Sequence, residues 1–187
     1  MKTNLITSPT EAIVELRRFF AENGVTTFEE DSTTRFSFRA PCDDVGIYVT
    51  AYAMPQPLAQ VSIFTRILSP IDGSMTEALR ICNYLSTGCL FAHLLIPDDF
   101  SEFVLESMLM LGDGNCLRSQ LTDFAASHMS VVGQLTPILD GVARGQLDYA
   151  GVRATLRRAY RRPDNTAPSD PFAARSSSVR MPEAGLN

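Results

Sequence analysis

A chain of 187 residues, 45% of them hydrophobic and with a mean hydropathy of +0.02, can bury one full core, and its apolar runs are strand-sized, which excludes a membrane-spanning helix. The net charge of -5, from 16 basic and 21 acidic side chains, lacks the cationic excess of a generic nucleic-acid binder. Four cysteines without a CxxC pair and only two histidines build no zinc spacing, so neither metal nor cofactor is expected.

The chain opens MKTNLITSPTE, without an apolar core of signal-peptide length, so a cytoplasmic location is expected. Residues 1–7 read as an N-terminal extension. Next comes SPTEAIVELRRFFAENG, a helix with its punctuation: Ser8 as N-cap, Pro9 at the first position and Glu11 completing a capping box. Ala12, Ile13, Leu16, Phe19 and Phe20 form its apolar stripe, and Gly24 closes it. The period then changes. VTTFEE and RFSFRA flank DSTT as a hairpin, and VGIYVTAYA and LAQVSIFTRIL follow as β-branched and aromatic runs. Links this short allow only antiparallel pairing.

A second capping box, Ser74 to Glu77, starts a helix that ends at Gly88. CLFAHLLIP and FVLESMLMLG form a hairpin around DDFSE. A third helix is predicted from near Asn115, on the stripe Leu117, Leu121, Phe124, His128, Val131 and Leu135, with Pro137 ending or kinking it. The order is α-ββββ-α-ββ-α: an α+β domain over residues 8–145, with helices packed on one face of an antiparallel sheet. Residues 146–162 read as a basic amphipathic helix whose stripe, Tyr149, Val152, Leu156 and Tyr160, is expected to dock on the acidic body, the alternative being that it binds an acidic partner or surface. Residues 163–187, rich in Pro, Ser and Ala, read as a disordered tail. Charge follows these divisions: residues 1–140 hold 8 Lys and Arg against 17 Asp and Glu, whereas residues 141–162 hold 6 Arg against Asp148 alone.

GDGNCLRSQL, residues 112–121, is the strongest catalytic lead. Asp-Gly-Asn-Cys resembles the nucleophile segment of ovarian-tumour-type deubiquitinases, and a thiol at a helix start would have a lowered pKa. That reading makes the chain a cysteine-dependent hydrolase using Cys116. The surroundings oppose it. Leu117 is followed by Arg118 where that family has an aromatic residue, and the only later histidine, His128, would stand roughly 18 Å along the same helix. A nucleophile and its base must lie about 3 Å apart. The simpler reading makes Gly112 the end of a strand, Asp113-Gly114 a turn and Asn115 the helix cap. His93 reads as a sheet residue and His128 as a core-edge residue. Asp43-Asp44, Asp98-Asp99 and Glu29-Glu30 read as solvated loop charges, so no catalytic residue is assigned.

Strand alternation is more informative. Val45, Ile47, Val49 and Ala51 share one side, as do Ala59, Val61, Ile63 and Ile67, and Phe103, Leu105, Leu109 and Leu111. These suit the helix-covered face. The opposite side carries Tyr48, Tyr52, Phe64, Met108 and Met110, joined by Phe91. That is richer in aromatic residues and methionine than a face meant only for water, and it predicts a surface for a protein partner. The alternative is that the C-terminal helix or tail covers this face.

This order of elements resembles YbjN-domain proteins, related in fold to the secretion chaperones of the type III system. Three stretches within residues 8–145 carry the likeness: EALRICNYLSTGCLFAHLLI, with Asn83; FVLESMLMLGDGNCLRSQL; and LTPILDGVARG. The YbjN family bears the label of a bacterial sensory-transduction regulator. The related chaperones are small, acidic, cytoplasmic homodimers without enzyme activity that wrap an extended segment of a secreted protein. The resemblance implies a non-enzymatic protein-binding module, chaperone-like or a regulatory adaptor, working as a homodimer without nucleic acid or membrane span. The basic helix and tail depart from that pattern.

Overall fold

The computed structural model describes residues 5–42, 44–54, 60–88, 92–98, 101–111 and 113–159. Helix α1 (Pro9–Glu22) forms as its punctuation dictates. The Ser8 hydroxyl accepts from the Glu11 N–H, and the Glu11 carboxylate accepts from the N–H groups of Thr7 and Ser8. Its stripe buries Ala12, Ile13, Leu16 and Phe20. Phe20 meets Phe36 and Phe38, with ring centroids 6.0 and 4.8 Å away. Each such buried side chain contributes roughly 1.5–3 kcal/mol.

The central sheet contains β2 (Glu29–Ser32), β3 (Arg35–Cys42), β4 (Val45–Ala53), β5 (Gln60–Ile67), β6 (His93–Leu95) and β7 (Val104–Met110). Its spatial order is β2-β3-β4-β5-β7-β6, with every pair antiparallel. The first four strands form the expected meander. The chain then leaves through α2 (Met75–Gly88), enters at the far edge as β6, and returns as β7 beside β5.

Helices α3 (Arg118–Ala143) and α1 pack on β3, β4, β5 and β7 on the face formed by rows such as Phe36–Ala51–Ile63–Ser107 and Phe38–Val49–Thr65–Leu105–Leu94. Two clusters make the core. One joins α1 and the start of α3 to the meander. The other joins α2, the end of α3, β6 and β7, with α4 (Tyr149–Ala159) behind. The class is therefore α+β, with the helices on one face of an antiparallel sheet.

Three local expectations are corrected. First, residues 5–6 and 116–117 pair as a separate two-stranded sheet, β1 (Leu5–Ile6) with β8 (Cys116–Leu117). Asn115 therefore caps nothing. Its side-chain amide donates to the Asp113 carbonyl within the turn, and α3 starts at Arg118. Gln120 completes that start by accepting the Leu117 N–H at 2.9 Å. Pairing with β1 satisfies residues 116 and 117 as strand, which is why the helix begins later.

Second, Pro137 does not end α3, which runs on to Ala143. A proline there deprives the Gly133 carbonyl of its helical donor. Both residues are exposed, so water can serve that carbonyl, and Val132, Leu135, Leu139 and Val142 are packed in the core on either side. Third, His128 is not at the core edge but fully inside it.

After α3 the chain reverses tightly. Gly145 has φ +68°, and Leu147 folds back so closely that a Cβ on Gly141 would stand 2.9 Å from its Cδ1. That reversal lays α4 against α2. Val152 and Leu156 enter the second core cluster, and the Tyr149 N–H donates to Glu77. The expected docking of the basic helix on the body is observed for these residues. Tyr160 and the predicted tail, 163–187, lie outside the described residues.

Candidate partner-binding face

The described helices lie on one face of the sheet, α4 behind α2. Among the described residues no helix covers the other. Strand register lays that open face out in rows. Arg35, Tyr52, Ser62 and Met108 follow one another across β3, β4, β5 and β7. Ser37, Thr50, Phe64, Glu106 and His93 form the next row, and Arg39, Tyr48, Arg66, Val104 and Leu95 the third.

Five of the six residues expected on a partner surface stand on this face. Tyr52 and Phe64 are brought together, their rings stacked at 5.5 Å and 10°. Met108 and Met110 are 43% and 68% exposed, towards one end of β7. Tyr48 stands apart from the stack. Its hydroxyl donates to Glu29 at 2.9 Å, and the Arg39 guanidinium lies 5.8 Å from its ring. Phe91 lies outside the described residues, as do Ala59, Gly112, Asp43 and Asp99.

The polar residues of this face are held by their neighbours. Ser37 and Ser62 are buried although no helix covers them, because they sit between larger side chains. Ser37 accepts from Thr50, and Ser62 accepts from Gln60 at 2.7 Å. Arg66 donates twice to Glu102 Oε2, at 3.1 and 2.8 Å. Beside the aromatic stack lies a groove of about 570 Å³. Tyr52 and Phe64 line its middle, Ser32, Thr34 and Arg35 one end, and Leu95, Pro97 and Val104 the other.

Sequence reasoning missed Arg35, Leu95 and Pro97 as neighbours of the stack. Alternation with Phe36 and Phe38 already put Arg35 on this face. For Leu95 the signal was partial: the hairpin pairs β6 with β7, but nothing local shows that it joins the meander through β7, beside β5.

The cysteine lead fares differently. Cys116 is buried within β8, and burial raises its thiol pKa, where a helix start was expected to lower it. His128 cannot serve it as a base. Its Nε2 is bonded to Thr65 Oγ1 at 2.7 Å and its Nδ1 to Ser107 Oγ at 2.8 Å. His93 is exposed on β6, in the row of Phe64. Among the described residues no cluster of three or more His, Cys, Asp or Glu could hold a metal ion, and no helix is long and apolar enough to cross a membrane.

No protein-family model matches the chain, and no curated protein matches it. Solved structures similar in fold include ExsC in its complex with ExsE, at 11% identity over 72% of this chain and 97% of that one, with a TM-score of 0.49. The type III secretion chaperone SycH of Yersinia pestis, solved with a fragment of YscM2, aligns at 15% identity over 68% and 98%, with a TM-score of 0.45. YbjN of E. coli aligns at 16% identity over 71% and 93%, with a TM-score of 0.48. YbjN and a type III secretion chaperone, the two kinds of protein that the sequence resembles, are both among these structures.

Proposed function

We propose that this chain is a non-enzymatic protein-binding module, a chaperone-like protein or regulatory adaptor, that takes a partner polypeptide on the open face of its sheet. One observation carries this reading: a face that no described helix covers presents a stacked aromatic pair and two exposed methionines. Burying such side chains against a partner releases water from apolar surface, and aromatic residues and methionine are the types enriched where proteins meet. Tyr48, Tyr52, Phe64, Met108 and Met110 are the assigned contacts. In this reading the protein acts in the cytoplasm as a homodimer.

The test is affinity capture with mass spectrometry, comparing wild type with Met108→Glu/Met110→Glu and with Tyr52→Glu/Phe64→Glu. The side chains point away from the helix-packed core, so circular dichroism should show folded variants. Proteins held by wild type and lost by both variants are the expected result. Equal capture by all three would remove the sheet face from the reading.

A further inference from the structure

The groove beside the aromatic stack runs across the strands. From Leu95 on β6 to Arg35 on β3 it passes four inter-strand spacings, roughly 19 Å in all. Leu95, Pro97 and Val104 line its β6 end, and the stacked rings of Phe64 and Tyr52 follow. Arg35 and Arg66 line it too, and both already have partners, so the groove calls for an apolar occupant rather than an ion. The Tyr52 hydroxyl adds a donor for a backbone carbonyl beside the rings.

Helix α4 delivers the rest of the chain to the β6 end. It runs alongside α2 in the same direction: the Tyr149 N–H meets Glu77, and a turn later the Arg153 guanidinium lies 6.0 Å from the Tyr84 ring. Just past Tyr84, Ser86 holds Leu94 of β6. The chain therefore leaves α4 on the β6 side, and residues 160–166 can reach at most about 25 Å from there. Residues 167–172 come next. They lie outside the described residues and read Ala-Pro-Ser-Asp-Pro-Phe, with the only two prolines of the chain spaced three apart. A polyproline helix turns once in three residues and rises about 3.1 Å per residue, so both rings share one face and six residues cover about 19 Å. The two rings then stand about 9 Å apart, close to two inter-strand spacings. Neither proline brings an N–H to an apolar floor. Aromatic-lined grooves take proline-containing segments for these reasons. We infer that residues 167–172 of this chain dock in its own groove, with Pro168 over Val104 and Phe64, Pro171 over Tyr52 and Phe172 beside Thr34. Ser169 and Asp170 then face water. Partner docking is not a premise of this assignment. A partner that needs Tyr52 and Phe64 must displace the segment, whereas Met108 and Met110 lie outside the groove lining.

The test uses the full purified chain with photoreactive p-benzoylphenylalanine in place of Phe172, so no partner is involved. After irradiation, mass spectrometry should find that side chain joined to β3 or β4, near Thr34 and Tyr52, in a product of unchanged chain mass. Pro168→Ala/Pro171→Ala removes ring methylenes from the contact and should lower the yield at least about fivefold. Phe64→Ala, shown folded by circular dichroism, should lower it as well, whereas Met110→Ala, outside the lining, should leave it unchanged. No cross-link to either strand, cross-links scattered over the helical side, or equal loss in Met110→Ala overturns the assignment. So does a yield that survives the proline variant or Phe64→Ala. A cross-linked dimer as the main product also overturns it, and gives the groove to the same segment of a second copy. None of these outcomes touches capture through Met108 and Met110, which has its own measurement above.

Discussion

At the scale of single residues, His128 is the most consequential. It lies between α3 and the sheet, 1% exposed, and its two neighbours on the covered face are hydroxyls. A neutral imidazole suits them: one ring N–H donates and the other nitrogen accepts. A cation would be buried with no carboxylate among its bonded partners, so burial lowers its pKa to about 4. Between that value and an unfolded value near 6.5 the unfolded chain binds the extra proton. Stability is therefore whole above pH 6.5 and falls as the pH drops towards 4, by about 3 kcal/mol in total. Urea titrations near neutrality and at about pH 5 should show this loss. His128→Gln, less stable at neutral pH, should show a flatter dependence across the same window. Glu11, held low mainly by the Thr7 N–H, contributes in a lower window, present above about pH 4.5 and lost as the pH falls further. A His128→Gln titration as steep as wild type would mean that other groups carry the slope.

Glu15 shows the same logic with charge. It is 4% exposed on α1 and is paired with Arg18 on its own helix and with Arg118 of α3 at 3.2 Å. A buried carboxylate is tolerable because two guanidinium groups meet it, one of them across the α1–α3 interface. No local pattern could reveal this partner, because Arg118 is about a hundred residues away in sequence. Cys116 gives the opposite lesson. The motif was legible, but its environment was not, because β1 arrives from the other end of the chain to bury it.

At the scale of elements, the sheet edges are managed differently. The β6 edge is closed by α2: Ser86 Oγ accepts from the Leu94 N–H and donates to the Leu94 carbonyl, at 3.0 and 2.9 Å. At the β2 edge Glu29 accepts from the Tyr48 hydroxyl at 2.9 Å. Helix α4 is fastened by packing and by rings. Tyr149 meets Tyr84 edge-on at 5.3 Å, and the Arg80 guanidinium lies 4.0 Å over the Tyr149 ring. Leu156 is 6% exposed in the core cluster of α2 and α3. Leu156→Ala should therefore cost about 2–5 kcal/mol by urea unfolding, whereas Leu79→Ala, on the outer side of α2 at 47% exposure, should stay within about 0.5 kcal/mol. Equal, small effects would show that α4 is not part of the cooperative unit.

At the scale of the whole molecule, the layering is asymmetric among the described residues: helices lie on one face of the sheet and none on the other. A homodimer is part of the proposed function and has its own measurement. Sedimentation velocity across the micromolar range should show a species of twice the 20.5 kDa chain mass gaining at the expense of monomer. A single monomer peak at every concentration would remove the dimer from the proposal and leave the docking face to be tested separately.

The sequence by itself determined what depends on near neighbours. Capping residues and a 3.6-residue stripe placed α1. Alternation sorted Ile47, Val49, Ile63 and Leu105 from Tyr52, Phe64 and Met108, because a strand's side chains must take opposite faces. Only the tertiary structure decided that the β6–β7 hairpin joins the meander through β7, between β5 and β6, and that pairing with residues 5–6 turns Cys116 from a helix start into a strand. It alone set Arg35 at one end of a groove and Leu95 at the other. The physical reason is common to these cases. Helix caps and pleats are fixed by torsions and hydrogen bonds within a few residues, whereas strand order and burial are fixed by which apolar faces find each other once the whole chain has collapsed.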